Sequence, residues 1–468
     1  MQLPDYKEAR KRNQKEVEKE FYTEDINITN IGVNKTYHIK TYGCQMNEHD
    51  SENIKAMLEE LGFAEEEEME KADLVILNTC SIRENAHNKA FGMLGRLKHQ
   101  KEENKDLIIG LCGCMAQEEK VVHDIMEKYK CVNFVFGTHN LHRLPFILEE
   151  AFKTKKQVIE VFSKEGNIVE GIPVKRASRY KAYVNIMYGC DKFCTYCIVP
   201  YTRGKQRSRD KDDILKEVRK LVEEGYQEVT LLGQNVNAYG KDLDSDYHME
   251  DLLIDVAKTN IPRVRFMTSH PWDFTDKMVE AIKMYPNIMP SVHLPVQSGS
   301  NRVLKLMGRR YTKEEYIALF DKLKTIPNVT ISTDIIVGFP SEEETDFEET
   351  LDLVNYCKFD NAFTFIFSPR EGTPAAKLED KTTLEEKEKR LYKLNETVNK
   401  YFLESNQRMV GKVVDVLVDG VSEKEGMLCG YTDNNKLINF TGDESLIGKI
   451  VKVEVTEAKT WSLDGKQQ

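Results

Sequence analysis

Eight consecutive residues, Cys190 to Cys197, hold three cysteines in the spacing C-x3-C-x2-C, directly after the strand-like run Tyr183 to Tyr188. Three soft thiolates this close can surround one face of an iron–sulfur cube and leave its fourth iron open to a substrate. A closed structural zinc site needs four ligands, and no nearby histidine or fourth cysteine completes one here. Ten cysteines in 468 residues are too few for a disulfide scaffold and fit the reduced thiols of a cytoplasmic protein.

The surrounding chain alternates strands and helices. From Thr36 onward, Tyr37-His38-Ile39, Leu74 to Leu77 and Leu107 to Ile109 read as strands of a parallel α/β sheet, separated by helical stretches such as Glu52 to Leu61. Each is followed within a few residues by a cysteine: Cys44, Cys80 and Cys114, at intervals of 36 and 34 residues. Ligands of open parallel sheets bind at the carboxyl ends of the strands, so these three cysteines are expected to meet in space. A single cysteine after a strand is usually packing; three in register, beside an iron–sulfur loop, favour a second cluster. Cys112, Cys131, Cys357 and Cys429 read as structural, with Cys112 also open to a role as alternative ligand.

A linker is expected from Phe152 to Arg176. Beyond it, strands are expected at Ala182–Met187, Glu228–Leu232, Val264–Met267, Ser291–Leu294, Thr330–Val337 and Ala362–Phe367, with helices such as Asp212–Glu224 between them. Six βα units suit a partial (β/α)6 barrel. After a charged helix, Leu384 to Gln407, the runs Val413–Val418, Leu437–Phe440 and Ile450–Thr456 predict a small β-barrel. The domain division is therefore 1–34, a charged extension; 35–153; 176–406; and 407–468, against a length prior of about three domains.

Polar residues at strand ends supply cofactor candidates: Gly233, Gln234 and Asn235 after one strand, Gln297 in His293 to Ser300, and Asp334 in a strand ending at Gly338-Phe339-Pro340. A plain polar strand end is the alternative for the first group. Arg302, Arg309 and Arg310 read either as a solvated helix face or as RNA or cofactor contacts. The net charge of -11 disfavours indiscriminate binding to nucleic acid or anionic membrane. Yet Lys175 to Lys220 carries 13 Lys and Arg against five acids. Within it Arg203, Lys205, Arg207 and Arg209 alternate as a phosphate-guiding strip would, with an ordinary solvated helix approach as the alternative. The acidic run Glu65 to Glu68 is expected to be solvated or to repel RNA. No apolar run reaches the ~18 residues of a membrane span.

The cysteine loop, with Tyr196 before its third cysteine, resembles the radical S-adenosylmethionine superfamily. Together with Tyr42 to Asn47, Asn78 to Glu84, Gly113 to Gln117, Met187-Tyr188-Gly189-Cys190 and Pro200 to Gly204, it resembles the methylthiotransferases from about Lys35 to the C-terminus. Gln45-Met46-Asn47 and Ser81-Ile82-Arg83-Glu84 resemble the branch acting on N6-(dimethylallyl)adenosine beside the anticodon of tRNA, at position 37.

The resemblance implies a flavodoxin-like N-terminal sheet, a radical S-adenosylmethionine barrel and a C-terminal RNA-binding TRAM barrel. It implies two 4Fe-4S clusters: Cys190, Cys194 and Cys197 generate a radical from S-adenosylmethionine, while Cys44, Cys80 and Cys114 hold an auxiliary cluster that carries sulfur. One cofactor molecule would methylate sulfur and a second would activate the adenine C2 carbon. Tyr196, Gly233, Gln234, Asn235, Gln297 and Asp334 would bind the cofactor. Partners would be a tRNA anticodon stem-loop and a low-potential donor such as flavodoxin or ferredoxin, with the chain acting as a monomer. Related readings are methylthiolation of threonylcarbamoyladenosine or of a ribosomal-protein side chain; a nonenzymatic one is an iron–sulfur RNA-binding regulator.

Overall fold

The computed structural model describes residues 1–11, 17–22, 30–82 and 84–468. The chain divides into two compact units: residues 1–177, 187–193 and 197–209 form the first, and 178–186, 194–196 and 210–468 the second. The cysteine loop is thus apportioned to both, with Cys194 in the second and Cys190 and Cys197 in the first.

The first unit is built on a parallel six-stranded sheet with the spatial order Ala64–Glu65, Thr36–Tyr42, Leu74–Thr79, Ile108–Gly113, Phe134–Phe136, Val158–Glu160. In chain order this is 2-1-3-4-5-6, the flavodoxin-like winding, whose direction reverses between Thr36–Tyr42 and Leu74–Thr79. All six residues of Leu74–Thr79 are buried, as a strand covered on both faces requires. Val75 and Leu77 enter one core with Ile109 and Leu111, while Leu74 and Ile76 enter the other with Tyr37 and Phe134. The period of two in the strand therefore feeds helices on both sides.

Two expectations change here. The segment 152–176 is not a linker, because Val158–Glu160 is the outer strand of the sheet and Ile168–Glu170 pairs in parallel with Lys19–Phe21. The charged extension is partly built into this unit: Gln2 bridges Glu160, and helix Tyr6–Arg10 is capped by Asp5. Residues 12–16 and 23–29 of that extension lie outside the described residues. The acidic run Glu65 to Glu68 lies at the surface as expected, with Glu65 paired to Lys55 at 2.5 Å and Lys175 at 2.6 Å.

The second unit holds six parallel strands in two sheets, Lys181–Asn185 with Glu228–Leu232 and Arg263–Phe266, and Ser291–His293 with Thr330–Val337 and Asn361–Ile366. A parallel bridge between Val264 and Ile288 connects them, so neighbours in space are successive in chain, as in a partial barrel. Helix Leu384–Gln407 leads to a closed five-stranded barrel with Val416, Val418, Ile438, Phe440 and Val453 at its centre. Two of its strands, Leu428–Thr432 and Leu463–Gln467, are additional to those expected.

This barrel packs on the amino ends of the parallel strands. Arg263 donates to the carbonyls of Tyr431 and Asp415 (both 2.9 Å), and Arg265 to those of Asp433 (2.9 Å) and Thr432 (2.8 Å), while Arg265 Nε holds the buried carboxylate of Glu228 at 2.8 Å. Arg265→Ala strips a buried carboxylate of its partner and is expected to cost about 3–5 kcal/mol. The C-terminal barrel should then be released early in limited proteolysis, and Arg265→Lys, lacking the fork, should not restore it. Among the described residues no helix is long and apolar enough to cross a membrane.

Candidate functional site

In the first unit, register converts sequence spacing into proximity. Tyr42 lies opposite Thr79, and Thr79 opposite Gly113. Cys44, Cys80 and Cys114 follow these residues by two, one and one positions, so all three leave the same edge of three adjacent strands, at the point where the sheet winding reverses. Cys44 caps helix Gln45–Glu60, its backbone N–H directed at Asn47 Oδ1 (3.4 Å). Asn47 Nδ2 in turn donates to Asn78 Oδ1 (3.1 Å) and the Thr79 carbonyl (3.3 Å), locking the helix start to the neighbouring strand end. The backbone N–H of Ile82 donates to Cys80 Sγ at 3.3 Å.

Gly113 has φ +90°, and a Cβ there would stand 2.4 Å from the Thr79 carbonyl oxygen. Gly113→Ala is expected to cost about 1–3 kcal/mol, read as a lower urea midpoint at unchanged slope.

Beside Cys114 lies a buried ion pair. Arg203, 6% exposed, donates from Nε to Cys114 Sγ (3.3 Å) and from Nη2 to Asp50 Oδ2 (2.6 Å). Burial opposes its charge, but Asp50, Cys114 and Cys44 hold its pKa well above the ordinary arginine value. Burial pushes the Cys114 thiol up, and Arg203 draws it back. Cys112 is buried outside this network and its thiol is raised well above the usual range, first by burial and then by Asp50, which suits a packing role. His139 is kept neutral by burial and by Arg207 and Arg203.

The basic strip expected on the surface is therefore mostly interior. Arg203, Arg207 and Arg209 are buried, and only Lys205 is half-buried. Arg207 Nη1 donates to the Gly166 carbonyl (2.8 Å), and Arg209 grips Glu170 through Nε and Nη2 (2.7 and 2.6 Å). Alternation of charge suggested one solvated face, whereas fixed carboxylate and carbonyl partners draw the guanidinium groups inside.

Within the cysteine loop, Cys190 N–H donates to the Gly204 carbonyl (3.2 Å), and Met187–Tyr188 pairs antiparallel with Arg207–Ser208. A Cβ on Gly189, at φ +71°, would stand 2.1 Å from the Lys205 carbonyl, so the turn into Cys190 requires glycine.

In the second unit, Thr195 N–H donates to the Met307 carbonyl and Ala375 N–H to that of Thr195, both at 2.9 Å. Tyr196 packs against the buried group formed by Val303, Met307, Phe339, Phe367 and Ala375. Cys194 is buried, and Arg309 directs Nη1 at its sulfur (3.6 Å), Nη2 at the Pro295 carbonyl (2.6 Å) and Nε at Tyr311 Oη (2.9 Å). Arg309 thus belongs to the interior, while Arg302 lies on Asp346 and Arg310 over the Trp272 ring.

Of the remaining candidates, Gly233 is buried and Gln234 half-buried. Asn235 Nδ2 donates to Asp273 (2.7 Å), yet its buried Oδ1 has no hydrogen-bond partner among the described residues. Ser269 Oγ, beyond the next strand end, is in the same condition. Gln297, at φ +74°, donates its N–H to the Asp334 carbonyl (2.8 Å) and bridges Ile335. Asp334 is not buried; it faces His293 Nε2 at 3.5 Å, on the strand face that also bears Phe363. Arg83 and the side chain of Glu84 lie outside the described residues.

Comparison with known proteins accords with this geometry. The Radical SAM superfamily model matches residues 184–354, the uncharacterized protein family UPF0004 residues 36–137, and the TRAM domain residues 407–467. Among solved structures, the radical S-adenosylmethionine methyltransferase TsrM from Kitasatospora setae aligns with TM-score 0.52 at 12% identity, over 73% of this chain and 75% of that one, a likeness of fold. The strand arrangement and the cysteine loop define a radical S-adenosylmethionine protein.

Full-length relatives narrow the class. The tRNA-2-methylthio-N(6)-dimethylallyladenosine synthase of Staphylococcus epidermidis is 55% identical over 471 residues, covering 99% of this chain and 91% of that protein. Those of Oceanobacillus iheyensis and Bacillus cereus are 55% and 54% identical over 99% of the chain and 90% and 92% of theirs. This chain belongs to the tRNA-2-methylthio-N(6)-dimethylallyladenosine synthase family.

Proposed function

We propose that this chain transfers a methylthio group to the adenine C2 of N6-(dimethylallyl)adenosine at position 37 of tRNA, using S-adenosylmethionine and two 4Fe-4S clusters. The observation that carries this reading is the delivery of Cys44, Cys80 and Cys114 to one edge of three adjacent strands, in a chain that also holds the Cys190, Cys194, Cys197 loop.

The residues present fit such groups. Among the described residues no three His, Cys, Asp or Glu side chains converge on a single-ion site, and a cube, whose ligands bind separate irons, does not require them to. Ser81 Oγ, next to Cys80, is buried without a partner among the described residues, and so are Asn235 Oδ1 and Ser269 Oγ at the barrel strand ends. Buried polar atoms of this kind are expected where a ligand completes the hydrogen bonding.

Cys190, Cys194 and Cys197 would hold one cluster and Cys44, Cys80 and Cys114 the other. When bound, the first cluster with S-adenosylmethionine supplies the radical that takes hydrogen from an unactivated carbon. The chain's own residues set the stage for that chemistry. Arg309 and Tyr311 fix the Cys194 side of the loop, with Tyr196 packed beside it. Asn235 and Gln297 lie beyond strand ends and Asp334 in the middle of Thr330–Val337, from where they would orient the cofactor. Phe363, 44% exposed and edge-on to His293 with ring centres 5.9 Å apart, offers an aromatic surface for a nucleobase. A base in an anticodon loop is already partly unstacked, so drawing it out costs less than from a duplex.

The C-terminal barrel would contribute tRNA contacts through shape, since its 8 basic residues are outnumbered by 10 acidic ones between Gln407 and Lys466. A cytoplasmic monomer reduced by a flavodoxin or ferredoxin completes the reading, with its organisation kept as an extension, an auxiliary-cluster domain, a radical core and a TRAM domain. Mass analysis of tRNA nucleosides from a strain lacking the gene should show N6-(dimethylallyl)adenosine without its 2-methylthio form, restored by this chain. Loss of a methylthiolated threonylcarbamoyladenosine instead would move the chain to the sister branch.

A further inference from the structure

Arg203 lies against Cys114, and its role rests on the reading of Cys44, Cys80 and Cys114 as ligands of an auxiliary cluster. It succeeds the short helix Val199–Thr202 and is oriented from several directions. Its Nε–H donates to Cys114 Sγ at 3.3 Å, Asp50 Oδ2 accepts from Nη2 at 2.6 Å, and its carbonyl accepts from Arg207 Nη2 at 3.3 Å. Asp50 comes from the helix that Cys44 caps, so the cation spans two of the three strand-end segments that carry cysteines.

A guanidinium cannot shed its proton at any working pH, and in a buried site its charge is felt with little screening. Iron–sulfur potentials follow net charge, hydrogen bonds to the sulfurs and exposure to solvent. An N–H on a ligand sulfur, carried by a fixed cation, stabilises the more negative, reduced state. A carboxylate on the other end of the same cation works in the opposite direction.

We propose that Arg203 is a positioning residue that raises the reduction potential of the auxiliary cluster through Cys114, and that Asp50 limits the rise. It orients the Cys114 sulfur and sets the charge behind it, without touching substrate.

The test uses the full-length chain with Cys190, Cys194 and Cys197 replaced by alanine, so that only the auxiliary site holds iron. It is reconstituted anaerobically and titrated by redox potentiometry with electron paramagnetic resonance detection. Arg203→Gln, at full iron and sulfide content, should lower the reduced-to-oxidised ratio at least tenfold at the parent's midpoint, a downward shift of about 59 mV for one electron. Arg203→Lys should recover part of that shift, and Asp50→Asn should move the midpoint upward. An unchanged midpoint in Arg203→Gln, or a downward shift in Asp50→Asn, overturns the proposal. If Arg203→Gln retains no iron, Asp50→Asn decides alone: an upward shift supports the role and an unchanged or lowered midpoint refutes it. A parent that takes up no cluster overturns the two-cluster reading, and the role of Arg203 with it; a cluster present with unmoved midpoints overturns only the latter.

Discussion

Replacing Cys194 with alanine is expected to reduce the cleavage of S-adenosylmethionine by the reconstituted, reduced protein to the level seen without protein. Loss of outer-shell partners alone typically costs metal sites about 10–100-fold, so removal of one of the three proposed ligands should exceed that range. Cys194 is also firmly anchored in its own unit. Thr195 is bonded to Met307 and Ala375, and Arg309 is directed at the Cys194 sulfur. Cys357, buried in helix Glu344–Cys357 of the same unit, provides the control, and Cys357→Ala should leave cleavage intact. Equal cleavage in parent and Cys194→Ala, measured by chromatography of the nucleoside product, would refute the radical-site assignment.

Cys80→Ala should separate the two chemistries. Cofactor cleavage is expected to stay within about twofold of the parent, because Cys80 belongs to the first unit's sheet edge and not to the C-x3-C-x2-C loop. Methylthiolated adenosine should fall below detection in tRNA nucleosides analysed by mass spectrometry. Cys80 is buried just past the end of the all-buried strand Leu74–Thr79, and its sulfur receives the Ile82 N–H, so the alanine variant should lose the proposed ligand while the strand persists. Normal product from this variant would remove the auxiliary role from the strand-end cysteines. Cys112→Ala, one strand residue from Gly113 but embedded in the opposite core, should retain both activities.

Much of the architecture was legible in the chain because periodicity is a local property. Glu228–Leu232, Thr330–Val337 and Leu384–Gln407 have the bounds their residue patterns predict, and the cysteine intervals of 36 and 34 residues follow from successive βα units. Short strands at the sheet margins were harder to read. Val158–Glu160 has three residues, too few for a period, and it stands in a stretch rich in lysine and glutamate that resembles a linker. The pairing of Lys19–Phe21 with Ile168–Glu170 joins segments about 150 positions apart, and no local pattern encodes it.

Charges were the least legible feature. Counting Lys and Arg assumes that they are solvated, yet Arg203, Arg207 and Arg209 are interior because partners distant in sequence neutralise or accept from them. Arg309 stands in the sequence as one of several arginines after a helix, and its approach to Cys194 depends on a contact 115 positions away. One local signal did exist: Asp50 lies within the first two turns after Cys44, on a helix whose buried side also carries Asn47, Ser51 and Ile54. A carboxylate among buried positions calls for a cation, and Arg203 supplies it.

The attachment of the C-terminal barrel through Arg263 and Arg265 bears on how this region can diverge. Both arginines grip main-chain carbonyls of Asp415, Tyr431, Thr432 and Asp433, groups that every amino acid possesses. The side chains at those positions are therefore released from the task of holding the barrel in place. Mutational drift can rework the outward chemistry of Asp415 and Asp433 while the two arginines, and the carboxylate of Glu228 that orients one of them, stay under strict constraint.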